Sequence, residues 1–168
     1  MGDLAYAAIS LDHLSIVYWM LQYYNMLSQL KDALQASIKA CSTAEKSWID
    51  PTTLACIQFN YGRCLFKFSR YTEALPILKK SLSAFEYMGN GLRTAGCLEA
   101  LGIIHASQGD SHETVEMLEG AIEKYIELGE ISVRGRCGIE RCRDNLDRIK
   151  RREGSGEENM SLDLYIFM

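Results

Sequence analysis

Few side chains of this sequence could do chemistry, and their spacing argues against it. The histidines are His13, His105 and His112, spread through 168 residues. Gly89-Asn90-Gly91 has the glycine content of a phosphate loop but lacks the Lys-Ser/Thr that must follow one, and it reads as a helix break. Glu113, Glu116, Glu119, Glu123, Glu127 and Glu130 recur at helical spacing and form one stripe, expected to be a solvated outer face rather than an acid/base pair. Of the six cysteines (Cys41, Cys56, Cys64, Cys97, Cys137 and Cys142), only Cys137 and Cys142 are close downstream neighbours. Five residues on a helix turn them about 140° apart, poor geometry for one metal, and no second Cys or His pair completes four ligands. No catalytic residue, metal site or cofactor is expected, and the chain reads as no enzyme.

A second set of side chains could bind rather than react. Arg134, Arg141 and Arg148 recur every seven residues, with Arg136, Arg143 and Lys150 beside them and Arg151 and Arg152 closing the run. The formal charge of −4 conceals a polarised layout: −5 over residues 1–132, +5 over 133–152 and −4 over 153–168. One reading packs these arginines within the fold, against the glutamate stripe. The other exposes them as a basic face that holds phosphates of RNA or acidic lipid through salt-sensitive contacts. With no stacking aromatics interleaved, nucleic acid is the lesser expectation and internal pairing is preferred.

The elements that carry these residues are helical. Hydrophobic residues make up 48% of the chain and charged ones 24%, which excludes wholesale disorder, and only Pro51 and Pro76 interrupt it. Asp50-Pro51 reads as an N-cap followed by proline at the first helical position. Helices are expected over about Leu30–Lys46, from Pro51, over Thr72–Met88, on both sides of Gly109-Asp110-Ser111, and over Ile131–Arg152. That makes three helix pairs and a final helix. The longest apolar stretch, Leu14–Leu27, contains Gln22 and Asn25 and is too short to span a bilayer. The first cation is Lys31, so no signal peptide is read, and the cysteines are expected as free thiols in a reducing cytoplasmic setting.

Self-comparison finds a repeat. Leu30-Lys31-Asp32-Ala33-Leu34 aligns with Tyr71-Thr72-Glu73-Ala74-Leu75, and Asn60-Tyr61-Gly62 aligns with Ala100-Leu101-Gly102, a period near 40 residues. On these residues the chain resembles the tetratricopeptide repeat (TPR) family. The family pattern has an aliphatic residue and glycine at positions 7 and 8, an aromatic at 11, alanine at 20, an aromatic or leucine at 24 and alanine at 27. Tyr61, Gly62, Leu65, Ala74, Leu78 and Ser81 fill these places in the second repeat; Leu101, Gly102, His105, Thr114, Leu118 and Ala121 fill them in the third. The first repeat is more degenerate, with Met20, Leu21, Tyr24, Ala33, Ser37 and Ala40. The repeat length, and the endings at Phe85–Asn90 and Tyr125–Glu130, look like the longer variety found in Pins-type spindle adaptors and kinesin light chains.

The resemblance implies an all-α, right-handed superhelical solenoid of antiparallel helix pairs with a C-terminal capping helix. Its parts are an N-terminal segment (1–11), three helix pairs (12–130), a basic capping helix (131–152) and an acidic tail with an apolar end (153–168). It also implies a non-enzymatic adaptor that holds an extended or helical peptide of a protein partner in a concave groove. Groove positions carry Tyr18, Gln22, Asn25, Phe59, Asn60, Arg63, Lys67, Glu99 and Ile103, of which Asn60 and Arg63 matter most. An amide pairs with a peptide backbone and a guanidinium forks onto a carboxylate. The chaperone-type carboxylate clamp is not expected, since Tyr18, Gln22, Gly96 and Ala100 stand where it needs other residues and only Asn60 matches. His105, at an aromatic packing position, is expected to be structural. The alternatives are phosphate binding through the basic helix, or a fragment of a larger scaffold. The apolar end Leu162–Met168 is read as a stray terminus in preference to a self-ligand.

Overall fold

The computed structural model describes the backbone of residues 2–21, 27–128 and 133–155, and the side chains of 4–13, 31–32, 34–128 and 135–151. Among them there are seven helices and no strand: α1 (Gly2–Leu21), α2 (Leu27–Glu45), α3 (Pro51–Lys67), α4 (Tyr71–Tyr87), α5 (Gly91–Gln108), α6 (Ser111–Glu127) and α7 (Val133–Ser155). No described helix is long and apolar enough to cross a membrane. The chain divides into two compact units, residues 1–84 and 85–168, so α4 belongs to the first except for its last turn.

Local chemistry sets the helix ends at a regular interval. Asp50 caps α3 by accepting from the Thr53 N–H at 2.9 Å, with Pro51 at the first position, where its missing N–H costs nothing. Asn90 and Asp110 cap α5 and α6 in the same way, onto the N–H groups of Arg93 and Glu113. Just before each of the later starts the chain turns through a left-handed residue, at Ser69 (φ 56°), Gly89 (φ 66°) and Gly109 (φ 82°). The turn therefore recurs every 20 residues, before α4, α5 and α6.

In the first unit, α2 packs on both α1 and α3, and α1 also touches α3. Ala8, Ala40, Cys41, Ala44 and Ile57 form a buried cluster, flanked by Leu11, Ile49, Leu54 and Tyr61. Burial first, and Glu45 secondarily, push the Cys41 thiol up to about 11. Helix α3 meets α4 at Gly62, where a Cβ would lie 2.7 Å from Leu78 Cγ; the Ser81 hydroxyl donates across the same interface to the Ala55 carbonyl at 2.7 Å.

The second unit repeats this plan. Helix α6 packs on α5 and α7, and α5 touches α7. A Cβ on Gly102 would lie 3.0 Å from Leu118 Cγ, so both family glycines serve one purpose: they let paired helices close onto a leucine. Helix α5 is buried from Thr94 to Ala106 apart from Leu98. The core joins Ala95, Leu118, Ala121 and Tyr125 to Ile139, Cys142, Leu146 and Ile149 of α7. Helix next to helix, with contact between alternate ones, is the packing order of an all-α solenoid.

Candidate functional site

In the first unit the site is built on one face of α3. Asn60, Arg63 and Lys67 lie three and four residues apart, so they share that face, and all three are half-buried. Phe59, only 3% exposed, forms a plate beneath the Arg63 guanidinium, whose carbon sits 5.4 Å from the ring centroid. That contact holds a flexible side chain in place and adds cation–π attraction. Burial, then the Arg63 charge, hold the Lys67 ammonium below its ordinary value. A desolvated cation beside a second cation favours a ligand that brings negative charge. Asn60 turns toward α1, where its Nδ2 donates to both carboxylate oxygens of Asp12, each at 3.1 Å.

Asp12 was missed by sequence reasoning, although a signal existed: it is the only charged residue between Asp3 and Lys31. A lone carboxylate in so apolar a helix needs a partner when buried. Of the other expected groove residues, Tyr18, Gln22 and Asn25 lie outside the described side chains.

In the second unit, Glu99 and Ile103, both expected at groove positions, are 0% and 1% exposed. Glu99 is instead the centre of a buried polar cluster. Its carboxylate accepts from the Tyr125 hydroxyl at 2.8 Å and from Arg141 Nε and Nη2 at 2.8 and 3.0 Å. Arg141 is thereby withdrawn from the expected basic face, its side chain only 19% exposed. Burial opposes the Arg141 charge, but the hydrogen bonds and charge of Glu99 outweigh it and raise its pKa. Burial, reinforced by Glu99, also holds the Tyr125 phenol and the Cys142 thiol above their ordinary values. Close docking of α7 permits this cluster: a Cβ on Gly138 would lie 2.6 Å from the Tyr125 ring.

Internal pairing of an arginine is thus realised, though with Glu99 rather than with the glutamate stripe. On α6, Glu116, Glu119, Glu123 and Glu127 are exposed, and Glu127 bonds Lys124 on its own helix at 2.8 Å. Arg148 is half-buried with interactions of its own, while Lys150 and Arg151 are exposed; Arg134 and Arg152 lie outside the described side chains. Exposed Arg136, Arg143, Lys150 and Arg151 alternate with exposed Glu140, Asp144 and Asp147, which makes the outer face of α7 mixed in sign. His105 is buried at its packing position, with Nδ1 3.6 Å from Asp110 Oδ2. Sequence reading also overlooked that His112 meets Glu113 and Glu116, their ligand atoms all within 4.8 Å. That group occupies the first two turns of α6, the end at which the helix dipole opposes a cation.

Comparison with known proteins agrees with this architecture. The tetratricopeptide repeat family model matches residues 53–127. The structure is similar to that of BtubC (BKLC) from P. vanneervenii, with a TM-score of 0.54 at 16% identity, covering 94% of this chain and 71% of that one. At that identity the likeness is one of fold. No curated protein matches the sequence. The period near 40 residues, the two glycine–leucine closures and the match over residues 53–127 agree on tetratricopeptide-like helix pairs in that part of the chain.

Proposed function

We propose that this chain is a non-enzymatic adaptor that binds an extended, acidic peptide segment of a protein partner on the α1–α3 face of its first unit. The observation that carries the reading is the alignment of Asn60, Arg63 and Lys67 on α3, with Arg63 braced on Phe59. Asn60 supplies a hydrogen bond to peptide backbone, and the two cations supply charge-assisted bonds to carboxylates. Burial of Glu99 and Ile103 leaves them a structural part in the second unit, so recognition is assigned to α3. The mixed charge on α7 favours a protein partner over nucleic acid. A cytoplasmic setting belongs to the same reading, since all six cysteines are thiols and four of them are buried.

The test is a pull-down comparing the wild-type chain with an Asn60→Ala, Arg63→Ala double variant whose helicity is first shown to be unchanged. Specific partners are expected to be lost from the variant. Retention of all of them would remove the basis for this site.

A further inference from the structure

An ionised carboxylate only accepts hydrogen bonds, whereas a side-chain amide has one donating and one accepting end. Together these facts fix which end of Asn60 is offered outward. Both oxygens of Asp12 lie 3.1 Å from Asn60 Nδ2, so the amide nitrogen faces α1 and Oδ1 is the end turned away from it. The reversed amide would set an acceptor against two acceptors. Asp12 is 6% exposed, whereas Asn60 is half-buried, and among the described residues its Oδ1 accepts no hydrogen bond.

We propose that Asp12 is a specificity-determining residue: it locks Asn60 as a one-way acceptor, so the α1–α3 face takes a main-chain N–H of the bound peptide and rejects a carbonyl at that point. The inference rests on the peptide-binding reading above. An amide with no such anchor turns over freely and serves donors and acceptors alike. Here the bond is charge-assisted, about twice as strong as a neutral one, and it polarises the amide toward a more electron-rich Oδ1. Three and seven residues further along the same face, Arg63 and Lys67 offer donors only. The face therefore runs acceptor, donor, donor. Its complement is a segment that presents an N–H and then carboxylates.

Two measurements on the full chain test this. In 15N-labelled protein, the Asn60 side-chain amide protons are expected to exchange slowly, to lose that protection in Asp12→Ala and to lose part of it in the isosteric Asp12→Asn, whose amide either accepts or donates, while the α3 backbone amides stay in place. For binding, a peptide selected on the wild-type chain from a random display library is N-methylated at each backbone amide in turn. One position is expected to cost about tenfold in affinity on wild type, the value of one hydrogen bond, and less than about twofold on Asp12→Asn. Unchanged Asn60 amide exchange in both variants overturns the proposal. So does a peptide that is lost on Asn60→Ala yet shows the same methylation profile with and without Asp12. A peptide set indifferent to Asn60→Ala overturns the binding site itself, and this inference with it.

Discussion

Arg141→Ala tests the interior of the second unit. The change removes the counter-charge from Glu99, which is fully buried and has no route to water. Breaking a buried pair by deleting one partner costs about 3–5 kcal/mol, because an uncompensated charge remains inside. Two features place this case at the lower end, near 3 kcal/mol. The Tyr125 hydroxyl still donates to Glu99, and the Arg141 side chain is 19% exposed, so its removal admits some water. Tyr125→Phe removes one hydrogen bond to a charged acceptor and is expected to cost about 1.5–2 kcal/mol. The two losses should be non-additive, since both act on one carboxylate. A Glu99→Leu, Arg141→Met double replacement removes both charges together and should be far milder than Arg141→Ala alone. Urea unfolding followed by far-ultraviolet circular dichroism gives the free energies, and hydrogen exchange of α7 places the loss. A cost below about 1 kcal/mol for Arg141→Ala, the range of a surface ion pair, with α7 exchange unchanged, would show that Glu99 is solvated and refute the reasoning.

Two further changes probe the helix ends. Ser69 holds a left-handed conformation that glycine holds at the equivalent turns 89 and 109. Ser69→Gly relieves a strain of about 1–2 kcal/mol and loses part of it to unfolded-chain entropy, so a net gain near 0.5–1 kcal/mol is expected in urea unfolding. Asp50→Ala removes the α3 cap and should cost about 1 kcal/mol at neutral pH. Hydrogen bonds from Thr53 hold the Asp50 carboxyl below its ordinary value of 3.8, so its contribution is complete above that pH and fades as the pH falls further. The difference between wild type and variant, followed through an acid series, should narrow only below that value.

Local physics made much of the fold legible in advance. The expected helices Leu30–Lys46 and Thr72–Met88 are found at Leu27–Glu45 and Tyr71–Tyr87, and the final helix, expected over Ile131–Arg152, is Val133–Ser155. Caps, breaks and apolar spacing act within one turn of the chain, so each leaves its mark nearby. Ser69 hid its turn because serine is not the residue that such a conformation usually selects. The candidate site was read only in part. Asn60, Arg63 and Lys67 were read from their place in the repeat, and so was Phe59, as a groove residue; that Phe59 is buried beneath Arg63 and that Asp12 holds Asn60 are contacts the repeat pattern does not encode.

The sequence by itself determined seven helices, their period and the small residues that let paired helices close, because helix formation and close approach depend on residue type at fixed spacing. Tertiary structure alone decided what the charged residues do. Asp12 meets Asn60 across 48 positions, and Arg141 meets Glu99 across 42. A charge read along the chain carries no record of its partner, since burial and pairing arise only where two helices bring distant residues together. Glu99, read at a groove position, and Arg141, read as paired within the fold against the glutamate stripe, thus form one buried pair.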